Sequence, residues 1–247
     1  MLRNSIKTRL NRFGALALCL GTLLSFSVPA SASDTACDMD EIINRNAEYV
    51  AENFEALIDS ALENAASDVS PYSETNLASD SGDADFTSEE YVLQDAELLD
   101  SDGTGTGIYA LTTGVVLRAS TGGNRYDEAY DTTVSIKGYS TIYYNKTTSA
   151  GITYYCLTKV SGGYTVVDSS AQVSSQSVVY GMSGLNYSQG AVQKSGTYTP
   201  TSKSWSKSTG YTDYVCPTPY NLIGATYKIT LKRNGGSSWT YSLTNSL

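Results

Sequence analysis

The apolar and polar positions divide the chain into four stretches. The first, 1–32, opens with Arg3, Lys7, Arg9 and Arg12, runs through FGALALCLGTLLSFSV and ends on Pro29-Ala30-Ser31-Ala32. A basic head, an apolar core and an A-x-A end are the pattern of a secretory signal peptide, with the cut expected after Ala32. The run is short for a bilayer span and already holds polar residues, so an anchor is the weaker reading. The second stretch, 33–66, is acidic. From Asp38 to Ala66 the residues Met39, Ile43, Ala47, Val50, Phe54 and Ile58 recur three or four apart, which predicts an amphipathic helix. Asp38 and Glu41 suit its start, and no Pro or Gly interrupts it. A lone helix is marginal in water, so its apolar stripe is expected to dock on the following domain, a second copy or a partner.

The third stretch, 67–106, loses all periodicity. It is acidic and rich in Gly and Ser, so it reads as a flexible linker. Two short patches, Tyr91-Val92-Leu93 and Leu98-Leu99, are its only candidates for docking. The fourth stretch, 107–247, consists of short β-prone runs separated by turn residues. Ser161-Gly162-Gly163 and Asn234-Gly235-Gly236 predict hairpin turns. In the last hairpin, Tyr227, Ile229 and Leu231 alternate with Thr and Lys, and Trp239, Tyr241 and Leu243 alternate with Ser and Thr. One face is then buried and the other wet. Many such strands without a helix between them give the expected fold class. It is mainly β, with an antiparallel β-sandwich, Ig-like or jelly-roll-like, preceded by one helix and an acidic linker.

Charge sharpens this division. The net −9 of the 247 residues hides a split: 33–104 holds twenty acids and one base, a net −19, whereas 105–247 holds eleven bases and five acids, a net +6. Such asymmetry suggests an acidic arm, either an independent solvated surface or a segment folded back over the basic domain. Exposed ion pairs contribute only about 0–1 kcal/mol each, so masking of that kind requires close contact.

Composition removes several functions. Histidine is absent, which takes away the commonest general base and metal ligand. Ser204-Trp205-Ser206-Lys207 matches S-x-x-K and Lys194-Ser195-Gly196 resembles K-T-G, but their order is reversed and neither opens a helix. The carboxylates of the basic half, Asp127, Glu128, Asp131, Asp168 and Asp213, have no diagnostic spacing for glycoside hydrolysis. No EF-hand spacing, Cys/His metal set or nucleic-acid motif is present, so no cofactor, metal or nucleic-acid partner is expected. Three cysteines follow the signal stretch. In an oxidising compartment Cys156 and Cys216, both in the β-rich half, are expected to pair, with Cys37 left over.

Seventeen of the twenty tyrosines lie in the β-rich half. In a strand, Tyr143 and Tyr144 face opposite ways, as do Tyr154 and Tyr155, so one of each pair is expected at the surface. The run TSKSWSKSTGY places Lys203, Trp205 and Lys207 on one face and Ser204 and Ser206 on the other. It reads either as an edge strand with a buried indole and protective lysines, or as an exposed cationic aromatic stripe. The second reading makes Lys203, Trp205, Lys207, Tyr198 and Tyr211 the candidate binding residues. The expected function is an exported, non-catalytic protein whose sandwich binds an anionic wall polymer, a glycan or a membrane surface. The alternative is an antimicrobial or toxin-like protein whose acidic arm is a removable pro-region.

Overall fold

The computed structural model describes residues 39–67, 75–76, 86–101, 103, 105–120, 132–217, 222–233 and 238–247. The expected signal peptide over 1–32, Cys37 and the turn expected at Asn234–Gly236 lie outside them. Helix α1 spans Met39–Ser67. The strands are β1 (Thr75–Asn76), β2 (Phe86–Ser101), β3 (Thr106–Ser120), β4 (Thr132–Ser149), β5 (Ile152–Val166), β6 (Ala171–Leu185), β7 (Ala191–Tyr198), β8 (Ser204–Ser208), β9 (Ile223–Arg233) and β10 (Ser238–Ser246). They form a six-stranded sheet, β1-β2-β3-β4-β5-β8, and a four-stranded sheet, β10-β9-β6-β7, in which every pair is antiparallel.

The two sheets share one core. Val115, Leu117, Ile136, Ile142, Leu157 and Val160 of the large sheet pack with Val178, Met182, Ile223, Tyr227, Ile229 and Leu231 of the small one. The last hairpin pairs as its alternation predicts: Trp239 lies opposite Leu231, Tyr241 opposite Ile229 and Leu243 opposite Tyr227, all buried. Asn245 ties the sheets together from β10, its Nδ2 donating to the backbone carbonyls of Leu111 and Ser140 at 2.8 Å each.

The other face of the large sheet carries α1. Val50, Phe54 and Ile58 cluster with Leu93, Val116 and Tyr139, and Ile43 and Ala47 with Ile108, Ala110 and Tyr143. Close approach is possible because Gly114 has no side chain: a Cβ there would lie 2.9 Å from Cγ1 of Ile58 and 2.8 Å from Leu93 Cδ1. The layers are therefore helix, six-stranded sheet, four-stranded sheet. This arrangement corrects the expectation for Tyr143 and Tyr144. Tyr143 and Tyr144 are both buried, one under α1 and one between the sheets, because both faces of their strand are covered.

The expected linker over 67–106 is also corrected. Its residues 86–101 are β2, hydrogen-bonded along β3, and the β-domain thus begins before residue 107. Leu93 is buried and Leu99 partly buried, while Val92 and Leu98 remain 60 % and 50 % exposed. The strand is interrupted by three register shifts, at Val92/Gln94, Gln94/Glu97 and Leu98/Asp100, and Ala96 adopts a left-handed φ of 46°. Bulges of this kind destroy the two-residue alternation by which a strand is read. The Gly162-Gly163 pair is a further correction, lying inside β5 rather than in a turn. The β4–β5 turn is formed instead by Ala150 and Gly151, at φ 51° and 78°.

Candidate binding face

Of the five residues of the cationic aromatic stripe, Tyr198, Trp205 and Lys207 come together where β8 edges the large sheet and β7 the small one; Lys203 and Tyr211 make their contacts elsewhere. Trp205 does not serve as an exposed platform. It is 5 % exposed, packs edge-on to Tyr227 at 5.1 Å between ring centroids, and belongs to the inter-sheet core. Its indole fits because it lies over Gly162, where a Cβ would be 2.5 Å from Cζ2. Tyr198 packs on Trp205 at 5.9 Å, and Lys207 Nζ lies 6.0 Å from the Tyr198 ring centre. Tyr211 packs on Tyr180 at 6.1 Å, and burial pushes its phenol up from the ordinary value. Lys203 is exposed and contributes its carbonyl to the amide of Tyr164. The stripe is thus a capped sandwich edge, with lysines where unpaired strand edges need protection. Ser204–Lys207 lies in this edge strand, not at the start of a helix.

The disulfide expectation is corrected as well. Cys156 and Cys216 are both free. The bridge between Tyr155 and Val215 sets Cys156 across from Tyr214 and Cys216 across from Tyr154, a diagonal relation. Diagonal neighbours stand about 7–8 Å apart, beyond the reach of an unstrained disulfide. Cys156 Sγ donates instead to the Tyr211 carbonyl at 3.3 Å, and burial, aided by Asp213, raises its thiol to about 11.

A different surface carries unpaired positive charge. On the outer face of the four-stranded sheet, side chains from neighbouring strands line up in rows. Thr244, Thr226, Val179 and Thr197 form one row, Ser242, Lys228 and Ser177 the next, then Thr240, Thr230 and Ser175, then Ser238, Lys232 and Gln172. The hydroxyls of Thr226 and Thr244 are 3.1 Å apart, as are those of Thr230 and Thr240. Lys228 and Lys232 are exposed and make no ion pair among the described residues. They are four residues apart on one strand, so their Cα atoms lie about 13 Å apart.

No acid occurs in β6, β7, β9 or β10. Within the described helix and strands the acids are confined to α1 and β2; Glu90 of β2 faces the small sheet, where it accepts from the Tyr241 phenol. Lys137–Asp59 at 2.5 Å ties α1 to the large sheet, and Arg118–Glu89 at 3.2 Å links β3 to β2 within it. Lys194 is paired with Asp213 at 3.2 Å. Asp168 accepts from Ser170, so neither Asp168 nor Asp213 forms part of a carboxylate pair; Asp127, Glu128 and Asp131 lie outside the described residues.

Among the described residues there is no grouping of three or more potential metal ligands, and no helix is long and apolar enough to cross a membrane. Sequence reasoning passed over the outer sheet face because Thr and Ser opposite a core face look like ordinary solvated positions. Only the cross-strand register shows that the two lysines stand on a continuous hydroxyl surface. No family model, curated protein or solved structure matches this chain.

Proposed function

We propose that this is an exported, non-catalytic binding protein that adheres to an anionic polymer of the cell envelope through the outer face of its four-stranded sheet. Export rests on the signal-peptide pattern of 1–32. Binding rests on one observation above all: charge is sorted by element, with the acids in α1 and β2 and unpaired lysines on the hydroxyl-lined outer face of the acid-free four-stranded sheet. A separation of about 13 Å along one strand is too long for one small anion to bridge. It suits an extended polymer whose charges repeat, with Thr and Ser hydroxyls donating to the backbone between them. The same sorting repels the polymer from the α1 side, which gives the molecule a defined orientation on its target.

The pro-region alternative loses support because α1 and β2 are integral layers of the fold. Cutting near Asp100–Gly107 would uncover Val116, Tyr139, Ile108 and Tyr143, which those elements bury. The test is a double charge reversal, Lys228→Glu with Lys232→Glu, measured for retention on purified poly(glycerol phosphate). The proposal expects retention to be abolished with the melting temperature preserved. Undiminished retention would overturn it.

A further inference from the structure

Ser204 and Ser206 face α1 across a cleft of about 190 Å³. Its helix wall presents Asn44, Ala47, Glu48 and Ala51, and its sheet wall Lys159 and Ser161, with Tyr139 beneath. The cleft is the open end of a polar row that crosses the large sheet. Gln94, Thr112, Thr141, Ser161 and Ser206 are successive cross-strand neighbours from β2 to β8. Thr112 donates to Gln94 Oε1 at 3.0 Å and meets Thr141 at 2.9 Å, so the inner part of the row is satisfied. Ser161 is less well served. It is 1 % exposed, and among the described residues its only side-chain interaction is with the phenol of Tyr143, which itself donates to Asn46 Oδ1 at 3.2 Å. A bound group with a polar atom at this wall would complete the hydrogen bonding of the row's outer end.

We propose that this cleft binds a neutral, polyhydroxylated small molecule the size of a single sugar ring. The walls carry one cation and one anion. Lys159 is engaged by Asn44 and lies in the field of Glu48 and Asp40, so no surplus positive charge is offered to an anion, and the ammonium itself opposes a cation. What remains are donors and acceptors in alternation, the hydroxyls of Ser161, Ser204 and Ser206 and the side chains of Asn44 and Glu48. The small side chains of Ala47 and Ala51 supply the apolar patch that a sugar's C–H face requires. Small residues at 47, 51, 204 and 206 keep the space open. This cleft lies on the opposite side of the large sheet from the lysine face, so it stands or falls independently of polymer adhesion.

The test is an NMR titration of the full chain with D-glucose and with N-acetyl-D-glucosamine. The proposal expects saturable shifts of the Ser161, Ser206 and Ala47 amides with at least one of the two sugars. Ser161→Ala is expected to weaken binding by roughly tenfold, the worth of about one hydrogen bond. Ser206→Trp, at an exposed edge-strand position, is expected to fill the cleft and abolish the shifts while the remaining amide spectrum is preserved. Absence of a saturable shift with both sugars, saturation by acetate or inorganic phosphate instead, or unchanged binding by Ser206→Trp would each overturn the proposal.

Discussion

Single residues decide where this fold closes. Gly162 accommodates the Trp205 indole, which a methyl group would strike at 2.5 Å. Gly162→Ala is therefore expected to lower stability by about 1–3 kcal/mol, read as a lower urea midpoint with an unchanged slope; an unaltered midpoint would contradict the packing described. Cys156, raised to about 11 by burial and by Asp213, is expected to resist iodoacetamide at neutral pH in the native protein and to react after denaturation. Burial likewise raises the phenols of Tyr139, Tyr143, Tyr227 and Tyr241 and brings Tyr144 to about 12, with Tyr155 and Tyr109 adding to the last. Above the ordinary tyrosine value of about 10, the unfolded chain gives up phenolic protons that the native chain retains. Stability is then complete below about pH 10 and declines as pH rises toward about 12. Thermal melts across that interval are expected to fall steadily, and a flat profile would show that these phenols are solvated. The serine–tryptophan alternation of β8 was readable as an edge strand; that its serines line a cleft was not, because the helix opposite is over a hundred positions away in the chain.

At the scale of elements, legibility followed regularity. The period of α1 is unbroken from Ile43 to Ile58, and the helix runs Met39–Ser67 against an expected 38–66. The β9–β10 hairpin alternates strictly and pairs as it reads. By contrast, β2 is unreadable: three register shifts and a left-handed Ala96 scatter its apolar residues, and its acids match the composition of a linker. The β4–β5 turn is hidden for a related reason, since Ala150 adopts the positive φ that the reading reserves for Gly or Asn. Docking of α1 depends on Ile58, fully buried over Gly114. Ile58→Ala is expected to destabilise the protein by about 2–5 kcal/mol in chemical denaturation. A loss well under that range would mean that α1 is peripheral to the cooperative unit.

At the scale of the molecule, the chain sorts its charge by layer. The acidic half supplies the helix and strand β2 of the large sheet, and the basic half supplies the whole of the acid-free four-stranded sheet. The charge asymmetry was visible in the sequence, but its spatial meaning was not: opposite signs suggested masking, whereas α1 covers the face of the large sheet that lies away from Lys228 and Lys232. A chain starting at Gly105 is consequently expected to aggregate or elute as oligomers in size-exclusion chromatography; a stable monomer would show that α1 and β2 are dispensable. The most direct test of the account is the salt dependence of adhesion, measured by calorimetric titration of the chain missing 1–32 with poly(glycerol phosphate). Affinity is predicted to fall steeply between low and physiological ionic strength, as the Debye length contracts toward about 8 Å, and to be lost when Lys228 and Lys232 are reversed to Glu. Binding that ignores salt, or that survives the double reversal, would contradict the proposal that the four-stranded sheet is the adhesive face.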